Sequence, residues 1–140
     1  MLEQVLEANP KTVKLVFKHF PLRSHRFALQ AARAAQAADT FGKFWQFHDL
    51  LFRYHDRLDD QRVAQIADEL GIDHEALQER MQHKEILHKI RKDLVDGKTV
   101  GVRGVPSVFI NGRRLKIRSL EGFQSQIDKE LKRLKGKEGQ

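Results

Sequence analysis

The sequence contains no cysteine, and only 3 of its 140 residues are proline and 9 are glycine. Without cysteine, no disulfide, thiolate nucleophile, cysteine-ligated zinc or redox pair can form within these residues. The composition, with 40% hydrophobic and 32% charged residues, excludes a collagen-like, low-complexity or wholly disordered chain. A chain of this length buries a core of its own, so the composition indicates a helix-rich globular protein.

Long hydrophobic runs are also missing. No apolar stretch approaches the roughly 20 residues that a membrane helix requires. Residues 1–9 lack the basic start and the apolar run of a secretory signal peptide. We therefore expect no membrane partner and no export signal within these residues.

Positive charge is in excess, because the sequence has 26 Lys and Arg against 19 Asp and Glu and therefore a net charge of +7. Such a balance can indicate an anionic partner, for example nucleic acid. Much of the excess lies in residues 113–118 and 129–137, where no aromatic residues are interleaved in the manner of a nucleic-acid motif. We interpret these charges as a solvated surface and expect no nucleic-acid partner.

Helical hydrophobic periodicity covers most of the chain. The pattern opens inside a helix that Asn9 and Pro10 end, and residues 135–140 are expected to be a disordered tail. Between this first helix and the tail, we predict helices over about residues 24–38 and 43–55. A third helix is capped by Asp59 or Asp60 and ended by Gly71. Asp73 caps the next stretch, whose helical periodicity runs as far as Gly97, and Ser119 caps the last helix.

Three segments predict strands. Residues 12–20 are β-branched and aromatic, with apolar side chains on both faces, so they predict a strand buried on both sides. Residues 105–110 and 113–117 predict a hairpin around Asn111 and Gly112, a dipeptide typical of two-residue turns. Three strands are few for a sheet that supports so many helices. We interpret the chain as one α/β unit with a helical insertion of about residues 24–98.

The order of these segments resembles a known family. Residues 13–22, Ser24 with His25, the alanine-rich helix and residues 42–52 are similar to the DsbA-like branch of the thioredoxin superfamily, whose members are thiol:disulfide oxidoreductases. Residues 101–113 resemble the cis-proline loop and hairpin of that family. The resemblance spans about residues 2–134. It implies a helix-rich α/β, thioredoxin-like fold that forms a single domain over residues 1–140 and is incomplete at its N-terminus.

The resemblance also implies that a reactive segment is missing. In the family, a first strand leads into a Cys-x-x-Cys pair at the start of a helix, and Met1 aligns within that helix. The strand and both cysteines would therefore lie upstream of residue 1. In the family this strand occupies the middle of the sheet, between the segments that match residues 12–20 and 105–117. A chain without it must therefore close the gap, borrow a strand from another chain or expose unpaired backbone groups. A homodimer that completes the sheet is one such outcome.

Val105 and Pro106 are the site residues that the resemblance carries over. In the family, the backbone beside the cis-proline pairs with an extended substrate peptide, and such a peptide is the implied partner here. The alternative from the residues alone is an ordinary trans-proline that opens an edge strand. No catalytic residue, metal or cofactor is expected.

The implied function is that of a DsbA-like domain that is redox-inactive as a cysteine-free chain. The alternative is a non-catalytic module of the same fold that binds peptides or self-associates, so whether the chain is an enzyme stays open. Family members usually work outside the cytoplasm. The resemblance therefore implies a periplasmic or other extracytoplasmic location if an N-terminal signal precedes residue 1, and a cytoplasmic location otherwise.

Other side chains that could act in catalysis or bind a metal are interpreted as structural. Histidines spaced by seven and five residues form no His-x-x-x-His pair, so we expect no metal site. The side chains interpreted in this way are His48 with His55, His83 with His88, His19, His25, the core-packing aromatics Trp45, Phe47 and Phe52, and the helix-capping Asp59 and Asp60.

Overall fold

The structure is a computed structural model that describes residues 1–139, so the last residue of the predicted tail, Gln140, lies outside the described residues. The described residues form seven α-helices, one short 3-10 helix at His55–Arg57 and two strands. In chain order the elements are α1 (Leu2–Ala8), α2 (Ala28–Asp39), α3 (Phe44–Arg53), α4 (Asp60–Glu69), α5 (His74–Met81), α6 (Lys84–Thr99), β1 (Phe109–Ile110), β2 (Arg113–Arg114) and α7 (Leu120–Glu138).

The chain divides into two compact units. One joins Met1–Phe17 to the residues from Gly104 onward, and it holds α1, the hairpin and α7. The other is the continuous segment Lys18–Arg103, which holds α2 to α6. The predicted helical insertion of about residues 24–98 lies inside this second unit.

The helical unit is built around the alanine-rich helix α2. Ala34, Ala37 and Ala38 are fully buried, and their small side chains let α3, α5 and α6 pack closely against α2. Larger apolar side chains from these neighbours and from α4 fill the remaining core. The fully buried ones are Phe47, Val63, Ile66, Leu77, Met81 and Ile90.

Side-chain caps begin three of the helices where the sequence predicts them. Asp59, Asp73 and Ser119 each accept the backbone N–H of the residue three positions later, at 2.7, 2.9 and 3.1 Å. These bonds satisfy donors that the first turn of a helix otherwise leaves without a partner. Gly71 follows α4 with a φ of +68°, a left-handed conformation that glycine adopts without steric cost.

The long stretch from Asp73 to Gly97 differs from the prediction. It is two helices, because α5 ends at Met81 and α6 begins at Lys84. Gly97 also does not end α6, which continues to Thr99. A Cβ at Gly97 would lie 2.8 Å from the Phe20 ring, so the glycine makes room for that ring.

In the first unit, α7 packs against α1 and β1. The buried core consists of Val5, Leu115, Phe123 and Ile127. Helix α7 continues to Glu138, so residues 135–138, predicted as part of a disordered tail, are helical. Lys135 and Lys137 lie in the last turn, where positive charge is favourable beside the negative end of the helix dipole.

The prediction of a strand at residues 12–20 is wrong. The structure describes all of these residues and assigns none of them to a strand. Exposure alternates along the segment, and Val16 is 65% exposed, so one face is open to solvent instead of buried. A strand requires a hydrogen-bonded neighbour, and the sheet of the described residues contains only β1 and β2.

The predicted hairpin is present with short strands. Phe109 pairs with Arg114 and Ile110 with Arg113, in antiparallel register. Asn111 and Gly112 have φ values of +48° and +77°, as a type I′ turn requires. The predicted strands over 105–110 and 113–117 are longer than the observed ones.

Candidate functional site

The loop at residues 104–107, called the proline loop below, contains the two predicted site residues. Both Val105 and Pro106 are exposed, Val105 by 55%, and the peptide bond between them is cis. The loop directly precedes the hairpin, so its position is set by the chain entering β1. Solvent can therefore reach its backbone and both side chains.

Three hydrogen bonds hold the proline loop. Ser107 Oγ donates to the Gly104 carbonyl at 2.8 Å, and Arg118 Nη1 donates to the Pro106 carbonyl at 3.0 Å. Arg114 Nη2 donates to Ser107 Oγ at 3.2 Å. The carbonyls on both sides of Val105 are therefore anchored, whereas the Val105 backbone itself makes no hydrogen bond within the described part of the chain.

Sequence reasoning missed the anchoring residues Ser107 and Arg118. The predicted hairpin could have indicated the position of Arg118, because its turn at Asn111 and Gly112 brings that residue back alongside Val105 and Pro106. From the sequence alone, the basic residues after the turn predict only a solvated surface. The structure gives Arg118 a specific contact in addition to its charge.

The surroundings of the proline loop are basic. The sequence has no Asp or Glu between Asp96 and Glu121. Arg113 is paired with Glu130 at 3.1 Å, while Lys116 and Arg118 form no ion pair in the part of the chain that the structure describes. A ligand with carboxylates would be attracted to this loop, more strongly at low salt.

An apolar groove lies in the same unit, beside the hairpin. It has a volume of about 240 Å³ and is bordered by residues 12–15 on one side and residues 108–111 on the other. Side chains from α1 and α7 line its remaining walls.

His19 is buried in the helical unit, in agreement with its interpretation as a structural histidine. Its Nε2 lies 3.0 Å from Gln36 Oε1, and the Phe44 ring approaches it edge-on at 6.0 Å between centroids. Burial disfavours the charged imidazolium and lowers the pKa of His19, although the Gln36 contact and the charge of Asp93 act in the opposite direction. The exposed His25 makes no comparable side-chain contact with any residue from 1 to 139.

The aromatic residues of α3 divide between core and surface. Phe47 is fully buried, as predicted, but Trp45 and Phe52 are 42% and 64% exposed. Core packing therefore does not describe these two side chains. The His48 ring lies between them, 5.6 Å from Trp45 and 4.6 Å from Phe52, so they form an aromatic row along the outside of α3.

The histidines considered as metal ligands are dispersed. His48 pairs with Asp49 at 3.1 Å and His55 with Asp56 at 2.8 Å, both neighbours in sequence. Among residues 1–139, no three His, Asp or Glu side chains come together in a way that could hold a metal ion. A search of the same residues for helices long and apolar enough to cross a membrane finds none.

Curated relatives match this chain over 104 residues. This chain is 35% identical over 104 residues to a Na⁺/H⁺ antiporter NhaA 3 of Salinispora tropica, and the match covers 74% of this chain and 16% of that protein. It is 36% identical over 104 residues to an NhaA 1 of Mycolicibacterium vanbaalenii, covering 72% of this chain and 17% of that protein. The chain thus spans about a sixth of these relatives' length.

Comparison with known families and structures identifies the fold. The family model described as thioredoxin matches residues 2–129. The crystal structure of a thioredoxin-like oxidoreductase from Silicibacter pomeroyi superposes with a TM-score of 0.82 at 27% identity, covering 94% of this chain and 75% of that chain. This agreement confirms the expected helix-rich, thioredoxin-like α/β fold, and the chain belongs to the thioredoxin family.

Proposed function

We propose that this chain is a DsbA-like domain that docks extended peptides at the proline loop and that, being free of cysteine, performs no thiol–disulfide exchange. The observation that carries the proposal is the exposed backbone of Val105, which makes no hydrogen bond in the described residues, between the anchored carbonyls of Gly104 and Pro106. An extended peptide gains affinity by main-chain pairing with such an exposed segment.

The anchoring bonds support this role because they hold the loop in one conformation before a peptide arrives. Ordering a flexible loop on binding costs free energy, so a loop that is already fixed binds more tightly. Ser107 and Arg118 supply this fixation from the loop itself and from beyond β2.

The absence of exchange chemistry follows from the composition. Disulfide exchange proceeds by attack of a thiolate on a disulfide sulfur, and a second thiol is the leaving group. None of the 140 residues supplies a sulfur that can act in this way, because the only sulfur atoms belong to the 2 methionines. Docking without sulfur chemistry is the activity that the site supports.

One experiment tests the exchange part. In an insulin-reduction assay with dithiothreitol, we expect the 140-residue chain to leave the rate of insulin precipitation at the buffer value. An active thioredoxin is the positive control. Acceleration that scales with the concentration of the chain would overturn the proposal.

A second experiment tests docking. We expect titration of the ¹⁵N-labelled chain with an unstructured eight-residue peptide to shift the amide resonances of Val105 and Ser107. Arg118→Ala should weaken binding roughly two- to thirteenfold, because one hydrogen bond contributes about 0.5–1.5 kcal/mol. The matched control is Arg53→Ala, which removes an exposed arginine from α3 and should leave affinity unchanged. Equal weakening by both variants would contradict docking at the proline loop.

A further inference from the structure

We propose that Arg118 makes the proline loop selective for peptides that carry a carboxylate side chain beside the stretch that pairs with Val105. This inference deepens the proposed function and rests on it, because it names the class of peptide that the same loop docks. It depends on the contacts of Arg118, on the backbone held on either side of it and on the charges of the hairpin.

Arg118 uses only part of its guanidinium group to anchor the proline loop. Its Nη1 donates to the Pro106 carbonyl at 3.0 Å, and the residue is exposed. Its Nε and Nη2 make no hydrogen bond, and the side chain forms no ion pair, in the part of the chain that the structure describes. A guanidinium presents its donors in one plane, in a fork that matches the two oxygens of a carboxylate. The group that anchors the loop can therefore bind a ligand carboxylate at the same time.

The backbone on both sides of Arg118 is held by neighbouring contacts. Ser119 Oγ accepts the Gly122 N–H at 3.1 Å and so fixes the start of α7. A Cβ at Gly122 would collide with the Ile117 carbonyl, so the glycine lets the first turn of α7 lie directly against Ile117. Because Arg118 lies between these two contacts, it loses less conformational freedom on binding a ligand than an arginine in a loose loop.

The other charges of the hairpin near the proline loop have the same sign. Arg114 Nη2 donates to Ser107 Oγ at 3.2 Å, so a second guanidinium contacts the loop. Lys116 is exposed, and the next acidic residue along the chain, Glu121, forms no ion pair within the described residues. A ligand carboxylate at the loop therefore meets the charges of Lys116 and Arg118, which no ion pair in residues 1–139 neutralises.

A peptide fits this site better than a nucleic acid, although a guanidinium binds phosphate as well as carboxylate. An extended peptide offers both a donor and an acceptor to the exposed backbone of Val105, whereas phosphate groups only accept. Single-stranded nucleic acids bind proteins largely by stacking their bases on aromatic side chains. Residues 104–118 contain one aromatic residue, Phe109, so the carboxylate of a peptide is the ligand that the site favours.

The test compares three eight-residue peptides with blocked termini that differ only at one central position, which is glutamate, glutamine or lysine. The other positions are threonine, so each peptide can slide in register and bring its central side chain beside Arg118. Affinities are taken from the amide shifts of Val105 and Ser107 in the ¹⁵N-labelled chain, which report binding at the loop. We expect the glutamate peptide to bind about two- to fivefold more tightly than the glutamine peptide, as for a solvent-exposed ion pair. The lysine peptide should bind most weakly.

Salt provides an independent check on the preference for glutamate. The Debye length shortens from about 30 Å to about 3 Å as the ionic strength rises from about 0.01 M to 1 M. The ratio of the glutamate to the glutamine affinity should therefore approach 1 at high salt.

Variants of Arg118 separate selection from anchoring. Arg118→Gln removes the charge, so the ratio of the two affinities should fall to about 1. If Arg118 only anchored the loop, this variant would weaken both peptides equally and leave the ratio unchanged. Arg118→Lys keeps the charge without the fork, and it should retain part of the preference.

Lys137→Gln is the matched control for the loss of one positive charge. Lys137 is exposed in the last turn of α7, about 25 Å from the start of that helix at about 1.5 Å per residue. This distance exceeds the Debye length of about 8 Å at physiological salt, so the ratio of the two affinities should be unchanged.

Four results would overturn the inference. Equal affinities of the glutamate and glutamine peptides, with shifts of Val105 and Ser107 by both, would remove the selectivity and leave the proposed function intact. An equal loss of preference in Arg118→Gln and Lys137→Gln would assign it to the net charge of the chain. Tighter binding of a single-stranded DNA octamer at the same amides would assign the charges to nucleic acid. A lack of shifts with every peptide would overturn the proposed function together with this inference.

Discussion

The carboxylate of Asp93 accepts a hydrogen bond from the backbone N–H of His19, at 3.0 Å between nitrogen and Oδ2. The Asp93 side chain is fully buried in α6, and its other oxygen binds Lys89 Nζ at 2.7 Å and lies 3.5 Å from Lys18 Nζ. Burial alone raises the pKa of Asp93, but the bonds from Lys89 and the His19 N–H, with the two positive charges, hold it below its usual value. Asp93 therefore fixes the segment around His19 to α6.

Removing this carboxylate should destabilise the protein. Asp93→Ala removes the carboxylate that accepts the buried His19 N–H, which costs about 1–3 kcal/mol in the free energy of unfolding. Asp93→Asn retains an acceptor oxygen and should cost less than Asp93→Ala. Urea denaturation followed by circular dichroism measures both. Asp96→Asn is the control, because its pairs with Lys18 and Lys92 are exposed to solvent and screened, so this variant should destabilise the protein less than Asp93→Ala. If the Asp93→Ala variant were as stable as the unaltered chain, this role of Asp93 would be contradicted.

His19 should make stability depend on pH near neutrality. Its pKa in the folded chain is lowered by burial, whereas in the unfolded chain it is about 6.5. As pH falls through 6.5, the unfolded chain takes up the proton first, so the free energy of unfolding should decrease between pH 7 and pH 5. Asp93 acts in a separate window below about pH 4, because its stabilisation is lost only as the carboxylate is protonated.

Denaturation midpoints at several pH values measure the effect of His19. His19→Gln should reduce the slope between pH 7 and pH 5, since the glutamine does not titrate. His25→Gln is the matched control, because it replaces an exposed histidine in the same part of the chain. Identical slopes in the two variants would show that another group causes the dependence.

Two glycines inside helices should respond oppositely to alanine. Alanine normally stabilises a helix interior by about 0.8–1 kcal/mol relative to glycine. At Gly136 in α7 a Cβ meets nothing within 4 Å, so Gly136→Ala should raise the thermal midpoint. At Gly97 the Cβ would lie 2.8 Å from two atoms of the Phe20 ring, so Gly97→Ala should lower the midpoint.

The Phe20 ring provides the check on this second effect. In a Phe20→Leu background the contact is relieved, so the additional cost of Gly97→Ala should shrink. Differential scanning calorimetry of the four chains in this cycle gives the coupling. Additive effects of the two substitutions would contradict a direct contact between Gly97 and Phe20.

Local features of the fold were predictable from the sequence. Asp59, Asp73 and Ser119 begin their helices because each cap depends only on residues within the next turn. Asn111 and Gly112 form the expected turn because their left-handed backbone is a property of the dipeptide. The thioredoxin-like fold was also predictable, since its motifs occur in a fixed order along the chain.

The candidate site was predictable only in part. Val105 and Pro106 followed from the resemblance, but the anchoring of the Pro106 carbonyl by Arg118 depends on the register of the hairpin and on one side-chain conformation. Trp45 and Phe52 have the same helical spacing as core residues. Their exposure depends on which neighbouring helices cover α3, and periodicity does not contain that information.

The sequence by itself determined the starts of the three helices with side-chain caps, the hairpin turn, the excess of positive charge and the lack of any thiol, because each depends on residue type and near neighbours. Only the tertiary structure decided that residues 12–20 remain outside the sheet and that Gly97 lies inside a helix. A strand exists only where a second backbone lies beside it, and a helical glycine is required only where another side chain fills its space. Both conditions depend on residues far apart in the chain.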